Sequence, residues 1–144
     1  MKTTRRPTVE DDLLYFDNTV KNMQLLKSAR SSISLVEEEI PVSVLMLLPF
    51  TERSGLLIVV VNRDWAYVNK IRFIKEINKG QYAINSLYKN YYAFYATTMS
   101  KDEKAKRLLE FMGFSETATF EKSGDNGDDL IWFCYKNPKF EEGD

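Results

Sequence analysis

The chain has no histidine, a single cysteine and only six glycines in 144 residues. Without histidine, triads of the Ser-His or Cys-His kind cannot be built within it, so any general base has to be a carboxylate, a tyrosine, a lysine or a relayed water. Cys134 has no second cysteine to pair with and no Cys/His cluster to join, which excludes an internal disulfide and a structural zinc site. A reducing compartment is compatible with this usage. No apolar run approaches the roughly 20 residues of a membrane helix, and Lys2, Arg5 and Arg6 are not followed by an apolar stretch of signal-peptide length. The expectation is a soluble protein, not secreted through a signal peptide and with no membrane partner. Neither sign of charge is in excess: 20 basic against 21 acidic side chains give a net charge of −1. That removes a general attraction to nucleic acid or anionic lipid, so a nucleic-acid partner is not expected.

What is present suits one domain. A chain of this length buries roughly 68–70% of its unfolded surface and needs no metal to hold its core. We expect a single domain over residues 1–136 and an acidic, flexible tail over 137–144, where Glu141, Glu142 and Asp144 follow Pro138.

The richest segment is Tyr91–Phe114, YYAFYATTMSKDEKAKRLLEFMGF. Its aromatic start predicts a strand over Tyr91–Thr97. Ser100 and Glu103 have capping-box spacing, and Ala105, Leu108, Leu109 and Met112 fall on one helical face. Gly113 and Phe114 then supply a left-handed stop and an apolar residue to fold back on the last turn. Upstream, spacings of three and four from Leu13 to Met23 predict a first helix over residues 9–29. Residues 33–48 predict a hairpin around Glu37–Glu39, Pro49–Gly55 a turn, and the β-branched run Leu56–Val61 a central strand buried on both faces. Ile71, Ile74, Ile77, Ile84 and Leu87 predict a long helix over 69–88. Glu116–Lys122 and Leu130–Lys136 flank the hairpin loop Gly124–Gly127. The order of elements fits an α+β fold, an α/β sandwich with helices on a mixed sheet.

At this point the chain resembles a known family. A strand followed by Asp102-x-x-Ala105-x-x-Leu108-Leu109-x-x-x-Gly113-Phe114 and a final hairpin is similar to the C-terminal half of the GNAT acyltransferase fold, often written Asn-x-x-Ala-x-x-Leu-Tyr-x-x-x-Gly-Phe. The resemblance implies a mixed, mostly antiparallel central sheet flanked by helices. It also implies a Gly-rich turn holding the pyrophosphate of coenzyme A at a helix N-terminus. Counting back by the family's spacing puts that turn at Asn69–Lys75, which has no glycine and places Phe73 where the first would stand. The family's tyrosine, which resembles a general acid, falls at Leu109, and its asparagine at Asp102. Leucine has no proton to donate. The arrangement is also similar to small GNAT-like virion proteins of short-tailed bacteriophages, through Arg5-Arg6-Pro7-Thr8, Asp64-Trp65 and the leucine at 109.

The expectation is therefore a non-catalytic structural or assembly protein, a bacteriophage virion or head component in the virion or host cytoplasm. It would bind other virion proteins and carry no cofactor. The alternative is an acyl-coenzyme A-dependent N-acyltransferase acting on an amine, with acetyl-coenzyme A held by Asn69, Lys70, Arg72 and Phe73. No catalytic residue and no metal ligand is assigned. Other side chains have plainer roles. Lys70, Arg72, Lys75 and Lys79 suit a solvated helix face, and Tyr88, Tyr91, Tyr92, Phe94 and Tyr95 suit sheet packing rather than base stacking. Cys134 suits a small buried side chain, Trp65 a cleft lining or a core contact, Asp102 a helix cap, and Glu37–Glu39 an exposed turn or edge.

Overall fold

The computed structural model describes residues 3–142. Strand β1 (Thr3–Pro7) is followed by a 3-10 turn over Glu10–Tyr15 and helix α1 (Thr19–Ser28). Strands β2 (Ser31–Glu37), β3 (Ile40–Thr51) and β4 (Ser54–Val61) then run as a meander. Helices α2 (Arg63–Val68) and α3 (Lys70–Leu87) lead to β5 (Ala93–Met99), α4 (Glu103–Phe111), β6 (Ser115–Phe120) and β7 (Leu130–Lys136). The seven strands form one sheet in the order β1-β2-β3-β4-β5-β7-β6. Every junction is antiparallel except β4–β5. This is the mixed, mostly antiparallel sheet with flanking helices that the sequence predicts.

Alternation along β3 builds both layers, because successive side chains leave a strand on opposite faces. Leu45 and Leu47 point into the larger core with Leu57, Phe94 and Phe133, under Phe73, Ile77 and Ile84 of α3 and Leu109 and Met112 of α4. Val44 and Met46 point the other way, onto Leu13, Phe16 and the apolar side of α1.

Residues 9–29 are not one helix. Asn18 takes a left-handed backbone, φ 60°, which asparagine tolerates, and so divides the run into a 3-10 turn and α1. The organising residue is Asp12, buried beneath the sheet edge. Both terminal nitrogens of Arg6 donate to it at 2.7 Å, Ser34 Oγ at 2.8 Å and the Val9 N–H at 3.0 Å. That bidentate pair draws the unforeseen strand β1 onto β2. Burial pushes the Asp12 carboxyl up, but Arg6, the Val9 N–H and Ser34 outweigh it and hold it below the ordinary carboxylate range.

Other boundaries move for local reasons. β3 continues through Pro49 to Thr51, with a register shift between them, so the turn shrinks to Glu52 and Arg53. The long helix forms as α3, an unforeseen short helix α2 precedes it across Asn69, and the buried side of α3 is Phe73, Ile77, Gln81 and Ile84, whereas Ile71 faces solvent. β4 is central in the sheet but is buried only at Ser54, Gly55 and Leu57; from Ile58 to Val61 it is partly buried. Past Lys136 the chain stays anchored. Asn137 is buried and its Nδ2 donates to the carbonyls of Asn85, Tyr88 and Tyr91, and the Glu141 N–H reaches Lys89 O. Residues 143 and 144 of the expected tail lie outside the described residues.

Candidate functional site: the opening between β4 and β5

The single parallel pair is also the shortest. β4 and β5 are in register only at Ser54–Ala93, Gly55–Phe94 and Leu56–Tyr95. Both strands then run on unpaired with each other, to Val61 and Met99, and leave an opening between their C-terminal ends. Ligands of open sheets with parallel strands bind outside the C-terminal strand ends, which is where this pair parts. The closed end is packed tight. A Cβ on Gly55 would stand 2.6 Å from Leu47 Cδ1 and 2.9 Å from the Tyr91 ring.

One helix begins beyond each free strand end. Asn62 Oδ1 accepts from the Trp65 N–H at 3.1 Å and caps α2; Asp102 Oδ1 accepts from the Ala105 N–H at 3.1 Å and caps α4. The expected Ser100–Glu103 box does not form, because the Ser100 hydroxyl donates to Asp128 instead. Asp102 does more than cap. Arg63 Nη2, from the first turn of α2, donates to Asp102 Oδ2 at 2.7 Å across the opening. Burial raises the Asp102 pKa, yet Arg63, the Ala105 N–H and nearby Lys104 together hold it below the ordinary range. Tyr67 of α2 also sits at the mouth, with the Lys70 ammonium 4.8 Å and the Lys104 ammonium 5.4 Å from its ring centre. Neither lysine has a carboxylate partner among the described residues.

Of the four residues assigned to a cofactor, only Lys70 is free at the mouth. Asn69 is the hinge between α2 and α3; its Nδ2 donates to Trp65 O at 2.9 Å and its Oδ1 accepts from Arg72 at 2.9 Å. Phe73 is core and meets Trp65 edge-on at 6.0 Å. Arg72 is not on the solvated face: its Nη2 donates to Glu37 Oε1 at 2.6 Å, its guanidinium lies 5.5 Å from the Trp65 ring, and its Nε is buried without a partner. Glu37 also accepts from the Trp65 indole N–H. It is buried, a correction to the exposed triplet: only Glu38 and Glu39 form the exposed turn, both with positive φ. Sequence reasoning missed Glu37. The available signal was its position as the last β2 residue before the turn.

The Gly-rich phosphate cradle is missing. No glycine lies between Gly55, at the closed end, and Gly80, in mid-α3 against Leu45. Leu109, in the place of the tyrosine, is buried in the larger core. The donors that remain at the mouth are side-chain cations, Lys70 and Lys104. That set suits a polyanion by charge, through side chains rather than bare backbone. No cluster of three metal-ligating side chains exists among the described residues, and no helix there is long and apolar enough to cross a membrane.

No family model matches the sequence, and no curated protein does. Solved structures do. Ard1 from Thermoplasma volcanium superposes with a TM-score of 0.77 over 99% of this chain and 100% of its own, at 11% identity. The fold is that of the GNAT acetyltransferases. The ribosomal-protein-S5-alanine acetyltransferase of Vibrio fischeri gives 0.74 over 99% and 97% at 13% identity. A mutant form of the spermidine/spermine N-acetyltransferase SpeG from Vibrio cholerae gives 0.70 over 96% and 97% at 15% identity. The GNAT fold is thus complete in this chain, and its opening lies between β4 and β5.

Proposed function

We propose that the chain is an acyl-coenzyme A-dependent N-acyltransferase in which lysine side chains replace the missing glycine turn as the grip on phosphate. The observation that carries this is the β4–β5 opening with Lys70 and Lys104 converging on Tyr67 at its mouth, one from each flanking helix. The acetyltransferases that share the fold support acyl transfer better than a role in a phage particle, to which none of them is linked. Lys70 and Lys104 would hold the cofactor's phosphates, with Arg63 joining them on leaving Asp102. Coenzyme A supplies an activated acyl thioester when bound. The chain's own residues orient it, and the acceptor amine's proton has to pass to a carboxylate, a tyrosine or water, since histidine is absent.

Calorimetric titration with acetyl-coenzyme A tests this. Saturable micromolar binding that weakens steeply with salt is expected; no heat at millimolar ligand would remove the proposal.

A non-catalytic binding or assembly role is the second possibility, favoured by the buried Leu109 and by the Arg63–Asp102 contact across the opening. Its specific form, a bacteriophage virion component, predicts co-purification with particles from infected cells. Particles that lack the protein would exclude it.

A further inference from the structure

Apolar side chains on an amphipathic helix normally face the core, and those that do not need a reason. At the α2–α3 joint three large ones face solvent together: Tyr67 is 61% exposed, Val68 79% and Ile71 85%. Val68 and Ile71 are too open to enclose a small ligand, whereas Tyr67 borders the β4–β5 opening. A cavity of about 580 Å³ does exist, but it lies elsewhere, between Arg5–Thr8, the end of α1 and Leu87. The surroundings of the exposed trio are basic on balance, three lysines against one exposed acid, Asp64, a turn before Val68. Lys70 and Lys104 flank Tyr67, and Lys75 stands one helical turn beyond Ile71 on the same side. Like the other two, Lys75 has no carboxylate partner among the described residues.

We propose that the α2–α3 joint is a docking surface for an acidic protein segment that carries apolar side chains, Val68 and Ile71 taking its apolar residues and Lys75 its carboxylates, joined by Lys70 and Lys104 whenever coenzyme A does not occupy them. Charge complementarity selects the occupant: unpaired cations around an apolar centre disfavour a second copy of the same basic surface, because like charges would meet. The joint is held rigid from behind. Glu37 ties Trp65 and Arg72 to the end of β2, so the surface is formed before a partner arrives.

The test uses the full chain and a fluorescein-labelled twelve-residue peptide of alternating Glu and Leu, with a Glu-Ser peptide as control. Anisotropy should show saturable binding of the Glu-Leu peptide, at least about tenfold tighter than the control. Val68→Ser with Ile71→Ser should remove about tenfold of that affinity, and Lys75→Glu should weaken it too. Folding of each variant is checked by circular dichroism and by an unchanged thermal unfolding midpoint, neither of which depends on acetyl-coenzyme A. Loss of peptide binding with the fold intact therefore concerns this surface alone, whether or not acetyl-coenzyme A binds. Equal affinity for the two peptides, no effect of the serine variant, self-association abolished by that variant, or equally tight binding to phosphatidylserine vesicles would each overturn the proposal.

Discussion

Asp12 and Asp102 are each more than half withdrawn from water, and each is kept ionised by an arginine and a backbone N–H. A carboxyl whose folded pKa lies below its unfolded value stabilises the fold fully above the ordinary range near pH 4, and that contribution disappears as pH falls through the lower folded value. Asp12→Asn should therefore be less stable than the native chain at pH 6 and converge with it as pH falls below the ordinary carboxylate range, as measured by urea unfolding across pH. Asp102→Ala removes a helix cap and should cost about 0.5–2 kcal/mol, mostly from the cap, because its partner Arg63 is largely exposed and the ion pair is worth little. At the closed end of the opening, Gly55→Ala has no space for its methyl group between Leu47 and Tyr91. Overpacking there should cost about 1–3 kcal/mol in chemical denaturation.

At the scale of elements, the α2–α3 joint depends on one carboxylate. Glu37→Gln keeps the shape but leaves the Arg72 guanidinium, already short of a partner at Nε, without its anion. A loss of about 1–3 kcal/mol is expected, with hydrogen exchange rising first in residues 63–72; exchange unchanged there would mean that Glu37 does not hold the joint. Elements differ in how far the sequence discloses them. The segment from Tyr91 to Phe114 is legible because its signals are local: an acidic cap, a stripe at helical spacing, and Gly113 at φ 95°. Even there the cap is Asp102 and not Ser100, since Asp128, from the far hairpin, engages the serine. Glu37, Arg63 and Arg72 were illegible for the same reason. Each finds its partner 28 to 39 residues away, and only the meander and the crossover bring them together. The first helix misled through its spacing: Leu13 and Phe16 are buried as the stripe demands, but Val20 is exposed once Asn18 turns the chain.

For the whole molecule, the order of strands and the two crossovers decide where a ligand site can be, and the side chains decide what it can hold. The sheet is continuous from β1 to β6 except where β4 and β5 part, so the fold has one built-in opening whether or not it still serves chemistry. The departures foreseen from sequence, no glycine at Asn69–Lys75 and leucine at 109, stand in the structure as a helix joint at Asn69 and a packed core. The lysines facing Tyr67 were not foreseen as a pair, because Lys70 and Lys104 belong to separate helices. Their convergence is the central claim, and comparing the acetyl-coenzyme A affinity of the native chain with that of Lys70→Ala combined with Lys104→Ala tests it most directly. The account predicts micromolar binding to the native chain and a loss of at least about tenfold in the double variant at unchanged thermal stability. Equal affinity in the two proteins, or no binding to either, would contradict it.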